Sequence, residues 1–177
     1  YGDAGGIITN NKELAEKMRM FANHGALIKH QHKIEGINSR MDGIQAAILS
    51  AKLPYILNWT ENRFKAAISY NEKFQEIPDI IPPKIKLNVK HVFHLYVVRV
   101  NNRLKLRQFL LDNGISSGIH YPTPLPFLEA YSYLNHTPED FPVAFDYKDD
   151  ILSLPIFPEI TTSQIEYVVS NIKKFIR

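Results

Sequence analysis

Apolar residues recur three and four positions apart in several stretches of the chain, and each such stretch predicts an amphipathic helix. Leu14, Met18 and Phe21 share one face, with Lys12, Glu13, Glu16 and Lys17 left for water. Asn10-Asn11 start this helix, and Asn23-His24-Gly25 stops it, with Gly25 as a C-terminal cap. Ile44, Ala47, Ile48 and Ala51 form a second stripe. Ser39 with Asp42 three residues on predicts its capping box, with Asp in place of Glu. Pro54 is expected to kink or break that helix. A third pattern runs through Trp59, Arg63, Ala67, Tyr70 and Phe74, which read as a packing stripe. A final helix opens at Thr161 and turns Ile165, Val168, Val169, Ile172 and Phe175 inward. Shorter helical stretches are predicted at 104–113, 127–134 and 141–150.

Strand composition marks 92–100, 115–120 and 151–154, and residues 7–9 look like a short buried strand. Between Ala26 and Ile37 no periodicity survives. That stretch holds Lys29, His30, His32 and Lys33, ends at Gly36, and reads as a polar loop: a solvated connector or part of a binding surface. Tyr121-Pro122-Thr123-Pro124-Leu125-Pro126 excludes regular structure, because proline removes backbone donors. Pro78, Pro82 and Pro83 mark a linker, so a domain boundary is placed at Ile77, giving domains 1–77 and 78–177. The second half alternates strand and helix around a small sheet, a compact α/β arrangement. The Gly-rich turn Tyr1-Gly2-Asp3-Ala4-Gly5-Gly6, running into Ile7-Ile8-Thr9, reads as the middle of an α/β protein, and polypeptide is expected before it.

Composition narrows the chemistry. The 177 residues carry a formal net charge of +3, with both signs interspersed. Nucleic acid is therefore not an expected partner, since its footprint needs clustered Lys and Arg. The absence of cysteine excludes disulfides, thiolate nucleophiles and Cys-type zinc sites, and suits a cytoplasmic location. No apolar run approaches the roughly 20 residues of a membrane span. His91 and His94, three apart on an expected strand, fall on opposite faces and do not read as a metal pair.

Several polar residues are candidates for binding. Asn38 stands just before an expected helix N-terminus, where backbone N–H groups favour an anion; it could equally satisfy a turn beside Ser39. Arg40 suits pairing with diphosphate or sugar oxygens, since guanidinium matches phosphate bidentately; the plain alternative is a surface ion pair with Asp42 or Glu35. His120 and Tyr121 sit at an expected strand end before a proline-stiffened loop; the plain alternative is a core tyrosine and a capping histidine.

Five segments, in order, carry a resemblance: Gly2-Asp3-Ala4-Gly5-Gly6; Asn23-His24-Gly25; Gly36-Ile37-Asn38-Ser39-Arg40-Met41-Asp42 with Gln45-Ala46-Ala47; Gly118-Ile119-His120-Tyr121-Pro122-Thr123-Pro124-Leu125; and Leu152-Ser153-Leu154-Pro155-Ile156-Phe157-Pro158. Together they resemble the DegT/StrS group of sugar aminotransferases. The resemblance implies an α/β chain forming the C-terminal portion of an aspartate aminotransferase (type I) fold: the end of the large domain plus a small α/β domain. It also implies pyridoxal 5'-phosphate as cofactor, amino transfer from glutamate to a nucleotide-linked ketosugar, and a homodimer with shared active sites. Such chemistry needs a primary amine to form an imine with the cofactor and to shuttle a proton. In the family that lysine, with most other cofactor contacts, precedes the turn matched by residues 2–5. No catalytic residue is therefore assigned, and this stretch alone is expected to be inactive. Lys12 and Lys17 lie on a solvated helix face.

By the same resemblance Asn38 reaches the cofactor phosphate of the other subunit, and His32 matches a position near the substrate diphosphate. His120 and Tyr121 face the nucleotide-sugar pocket. Lys33 departs from the family, which often has a carboxylate there. The alternatives are a pyridoxal-phosphate sugar dehydratase on the same scaffold, with histidine in place of the lysine, and a non-catalytic regulatory relative. A standalone binding module is disfavoured by the mid-domain start.

Overall fold

The computed structural model describes residues 2–176; Tyr1, where the expected Gly-rich turn begins, lies outside them. By internal packing the chain divides into two compact units, Tyr1–Ile56 and Leu57–Arg177.

In the first unit, helix α1 (Lys12–Ala22) forms where its stripe predicts it, and Asn11 caps it by accepting the Leu14 N–H at 3.0 Å. It ends at Asn23, after which His24 and Gly25 both take positive φ. The Gly25 N–H returns to the Met20 carbonyl at 2.7 Å, so the predicted stop is real. The stretch expected to be a loop is a small antiparallel hairpin, β1 (Ala26–Ile28) and β2 (Gln31–His32). Strands this short carry no period that a sequence pattern can register.

Helix α2 (Gly43–Lys52) has its capping box one turn later than expected. Asp42 is the cap and Gln45 answers it, its side chain accepting the Asp42 N–H at 3.1 Å. The Ser39 N–H donates instead to the Ala22 carbonyl at 2.9 Å. Asn38 is thus not at a helix N-terminus; it forms an isolated bridge with Asn23. Residues 7–9 are not a strand, and Ile8 is 99% exposed. A strand needs a ladder partner for its N–H and C=O groups, and the described residues supply none there. Pro54 breaks the helix as expected, through a single 3₁₀ turn at Leu53–Tyr55 that leads into α3 (Ile56–Phe74).

The second unit holds an antiparallel sheet of β3 (Ile80–Ile81), β4 (Tyr96–Val100) and β5 (Ile151–Leu154), in that order. Helices α4 (Arg103–Asp112) and α6 (Thr162–Ile176) bury Leu106, Leu110, Ile165 and Ile172 against it. Thr161 caps α6, its hydroxyl accepting the Gln164 N–H at 3.2 Å. Tyr70 and Phe74 of α3 stack with Tyr96 of β4; the Tyr70 and Tyr96 ring centroids are 4.8 Å apart. The packing division falls between Ile56 and Leu57, within the first turn of α3, whereas the composition change marks Ile77: a linker's prolines report where the backbone stops being helical, not which core the preceding helix enters.

Four further expectations are corrected. Residues 115–120 form no strand, only a single bridge between Gly118 and Ser153. The stretch 127–134 is made of 3₁₀ turns, at Leu125–Phe127 and Glu129–Leu134. The helix expected at 141–150 is the short α5 (Pro142–Tyr147). His91 and His94 precede β4 rather than lying on a strand. Among the described residues no helix is long and apolar enough to cross a membrane.

Candidate functional site

In the first unit, backbone ties converge on the end of α1. The His24 N–H donates to the Ile37 carbonyl at 2.9 Å, and the Ile37 N–H to the Phe21 carbonyl at 2.7 Å. This threading is possible only with glycines. A Cβ on Gly25 would lie 1.7 Å from the Ile34 carbonyl oxygen, and one on Gly36 would lie 2.3 Å from the Gly25 nitrogen.

On this frame sit three of the expected residues. Arg40 donates from Nε to Asn38 Oδ1 at 3.1 Å and from Nη1 to Asn23 Oδ1 at 3.2 Å. Asn23 in turn donates from Nδ2 to the Ala26 carbonyl at 2.9 Å. Guanidinium has only donors, so Asn38 must give it the carbonyl end of its amide. That leaves Asn38 Nδ2 and Arg40 Nη2 as donors with no protein partner among the described residues. The ion pairs considered for Arg40, with Asp42 or Glu35, are not formed among the described residues. His32 turns Nδ1 to the His24 carbonyl at 2.7 Å; a carbonyl accepts only, so Nδ1 carries the proton and Nε2 is left free. Arg40, Asn38 and His32 are all exposed, so this is a set of oriented donors on a surface rather than a buried charge. Beside it, a cavity of about 770 Å³ is lined by Asp3, Gly5, Met18, Phe21, Arg40 and Met41, among others.

The donor set suits an oxyanion such as a phosphate. It does not suit imine formation: no lysine among the described residues is buried, and Lys17 is paired with Glu13 at 2.7 Å.

His120 and Tyr121 belong to the second unit. His120 Nδ1 lies 2.9 Å from the Ser153 hydroxyl, and its ring meets that of Tyr121 edge-on at 5.5 Å. Tyr121 is exposed, not a core residue, and opens a cavity of about 660 Å³ lined also by Pro122, Leu125, Leu128, Tyr147 and Lys148. A smaller cavity of about 250 Å³ is lined by His94, Ser117, Gly118, His120 and Ser153. Arg63 of α3 braces its wall by donating to the His94 and Ile156 carbonyls at 3.3 and 3.0 Å.

Sequence reasoning missed two partners. Asn23 was legible only as a helix stop, although it clamps Arg40. Ser153 was legible only as part of a tail motif; a lone hydroxyl between two leucines of a buried strand was the available signal, because buried polar groups need partners.

The model of the DegT/DnrJ/EryC1/StrS aminotransferase family matches residues 1–173. The pleiotropic regulatory protein of Geobacillus stearothermophilus is 42% identical over 179 residues, covering 100% of this chain and 48% of that protein. The dTDP-3-amino-3,6-dideoxy-alpha-D-galactopyranose transaminase of Aneurinibacillus thermoaerophilus is 37% identical over 171 residues, covering 97% of this chain and 46% of the transaminase. Among solved structures, S. venezuelae DesV in complex with a ketimine intermediate superposes with a TM-score of 0.88 at 33% identity, over 95% of this chain and 45% of DesV. The chain thus spans about half the length of the curated relatives it matches. The expected fold class, the C-terminal portion of an aspartate aminotransferase type I fold, stands on these superpositions. With residues 1–173 matched by the family model, the chain belongs to the DegT/DnrJ/EryC1/StrS aminotransferase family.

Proposed function

We propose that this chain is the C-terminal part of a pyridoxal-phosphate-dependent enzyme that moves an amino group from glutamate to a nucleotide-linked ketosugar. In this reading the enzyme is a cytoplasmic homodimer with shared active sites. Residues 1–77 contribute to the large cofactor-binding domain, and 78–177 form the small one. The observation that carries the proposal is the clamped pair: Arg40 fixes the Asn38 amide so that its Nδ2 points away from the protein partner, beside a free Nη2.

Each residue then has a defined task. Asn38 donates from Nδ2 to the phosphate of the cofactor bound by the other subunit. Arg40 pairs with the substrate diphosphate through its free guanidinium edge, and Asn23 keeps that edge aimed. His32, its Nδ1 committed to the His24 carbonyl, presents Nε2 to the same diphosphate. In the second unit, His120 and Tyr121 face the nucleotide sugar. The bound cofactor supplies an electron sink for the proton shift, and the reactive amine comes from a lysine outside these residues.

The test is transamination by the full-length protein against a panel of dTDP- and UDP-linked 3- and 4-ketosugars with glutamate. Asn38→Ala is expected to weaken cofactor retention by roughly tenfold or more, the worth of a hydrogen bond to a charged group. Its unfolding midpoint should stay near wild type, since the amide is exposed. Unchanged retention would remove the phosphate role. A second reading, a regulatory protein that keeps the fold alone, is favoured by the 42% identical relative described as a pleiotropic regulatory protein. A folded, cofactor-binding protein that turns over no ketosugar in the panel would select it.

A further inference from the structure

We propose that Ser153 is the positioning residue for His120, holding its imidazole so that Nε2 is the nitrogen offered to the sugar. The inference rests on the reading of His120 as a wall of the nucleotide-sugar pocket. It adds a residue that is adjacent in space but 33 positions away in sequence.

The geometry has three parts. Ser153 lies on β5, 5% exposed, in register with Val97 of β4. Its N–H donates to the Gly118 carbonyl at 2.7 Å, and the Gly118 N–H returns to its carbonyl at 3.0 Å. The hydroxyl is therefore mounted on backbone that cannot drift. It meets His120 Nδ1 at 2.9 Å. This holds for either tautomer, because a hydroxyl both donates and accepts. Gly118 supplies the third part: a Cβ there would lie 2.6 Å from His120 Cε1. Without a Cβ at that position the ring can sit close against the chain, within reach of Ser153. Ser117, on the same wall, has a buried hydroxyl with no partner, so it does not take over the task. With Nδ1 committed, Nε2 has no protein partner among the described residues.

A hydroxyl that orients a ring affects one substrate and not the other, which separates positioning from general stability. In the full-length protein loaded with cofactor, Ser153→Ala is expected to raise KM for the ketosugar that wild type accepts by roughly two- to tenfold, the range for losing one neutral hydrogen bond. The half-reaction with glutamate should stay near wild type. Gly118→Ala should give the same split, by pushing the ring off the hydroxyl rather than removing it. Ser153→Thr, which keeps a hydroxyl, should recover most of the loss.

The deciding comparison is a double-mutant cycle: in a His120→Ala background, Ser153→Ala should add nothing further to KM. Additive effects would overturn the proposal, as would ring ¹⁵N shifts of His120 that are the same in wild type and Ser153→Ala. A different result marks failure of the underlying reading. If His120→Ala leaves the ketosugar KM unchanged while the ¹⁵N shifts still respond to Ser153→Ala, the hydrogen bond stands but His120 is not part of the sugar pocket.

Discussion

Replacing Gly25 by alanine should destabilise the full-length protein by about 3 kcal/mol or more, and should cost cofactor retention as well. Two penalties add. Gly25 has φ near +81°, a conformation that a Cβ disfavours. The Cβ would also stand 1.7 Å from the Ile34 carbonyl oxygen, which is backbone and cannot rotate away. Relieving that overlap means moving residues 33–37, and with them the pairing of the Lys33 N–H to the Gly25 carbonyl at 2.8 Å. His32 and Asn38 flank that segment, so the donors described above lose their aim. Gly36→Ala should behave similarly, its Cβ meeting the Gly25 nitrogen at 2.3 Å and the Phe21 carbonyl at 2.7 Å. Gly43→Ala is the control: it is helical, with open space around the added carbon, so it should be neutral or stabilising by up to about 1 kcal/mol. Urea unfolding midpoints decide. A Gly25→Ala midpoint equal to that of wild type would mean that the close approach of residues 25 and 34 is not made in solution.

Alkaline pH should unfold the second unit through Tyr70 and Tyr96. Burial raises the Tyr70 phenol well above its usual range; for Tyr96 burial acts first and the neighbouring Tyr70 second. The neutral hydroxyls are well placed: Tyr70 donates to the Pro155 carbonyl at 3.0 Å, and Tyr96 to Asn71 Oδ1 at 2.7 Å. The sign follows from where the protons go. An unfolded chain loses them near pH 10, while the folded chain keeps them to higher pH. The stabilisation is thus complete below about pH 10 and is lost as pH rises through the raised folded values. The slope is about 1.4 kcal/mol per pH unit for each tyrosine. Denaturant midpoints between pH 8 and pH 11.5 should fall accordingly, and Tyr70→Phe should flatten the fall by about half. If wild type and Tyr70→Phe lose stability in parallel, the buried phenol is not what titrates.

How far the candidate site can be read from the chain depends on how local each interaction is. Arg40 and Asn38 are two residues apart, and their chemistry was visible as residue types in order. What holds the Arg40 guanidinium in place of a surface ion pair is Asn23, 17 residues away, which no spacing rule connects to Arg40. His120 stood out as a histidine before a rigid loop, but the hydroxyl that turns its ring lies on another strand.

The same division runs through the fold. Helices α1, α3 and α6 were determined by the sequence itself, as were the breaks at Gly25 and Pro54, because a helix satisfies its own hydrogen bonds within four residues and its caps are local. The family motifs are likewise written in the order of residues. The hairpin at 26–32, the lack of a strand at 7–9 and 115–120, and the cap at Asp42 were decided only in three dimensions. A strand exists only when a distant partner completes its ladder, and a clamp such as Asn23–Arg40–Asn38 or Ser153–His120 exists only once folding has brought remote side chains within about 3 Å of each other.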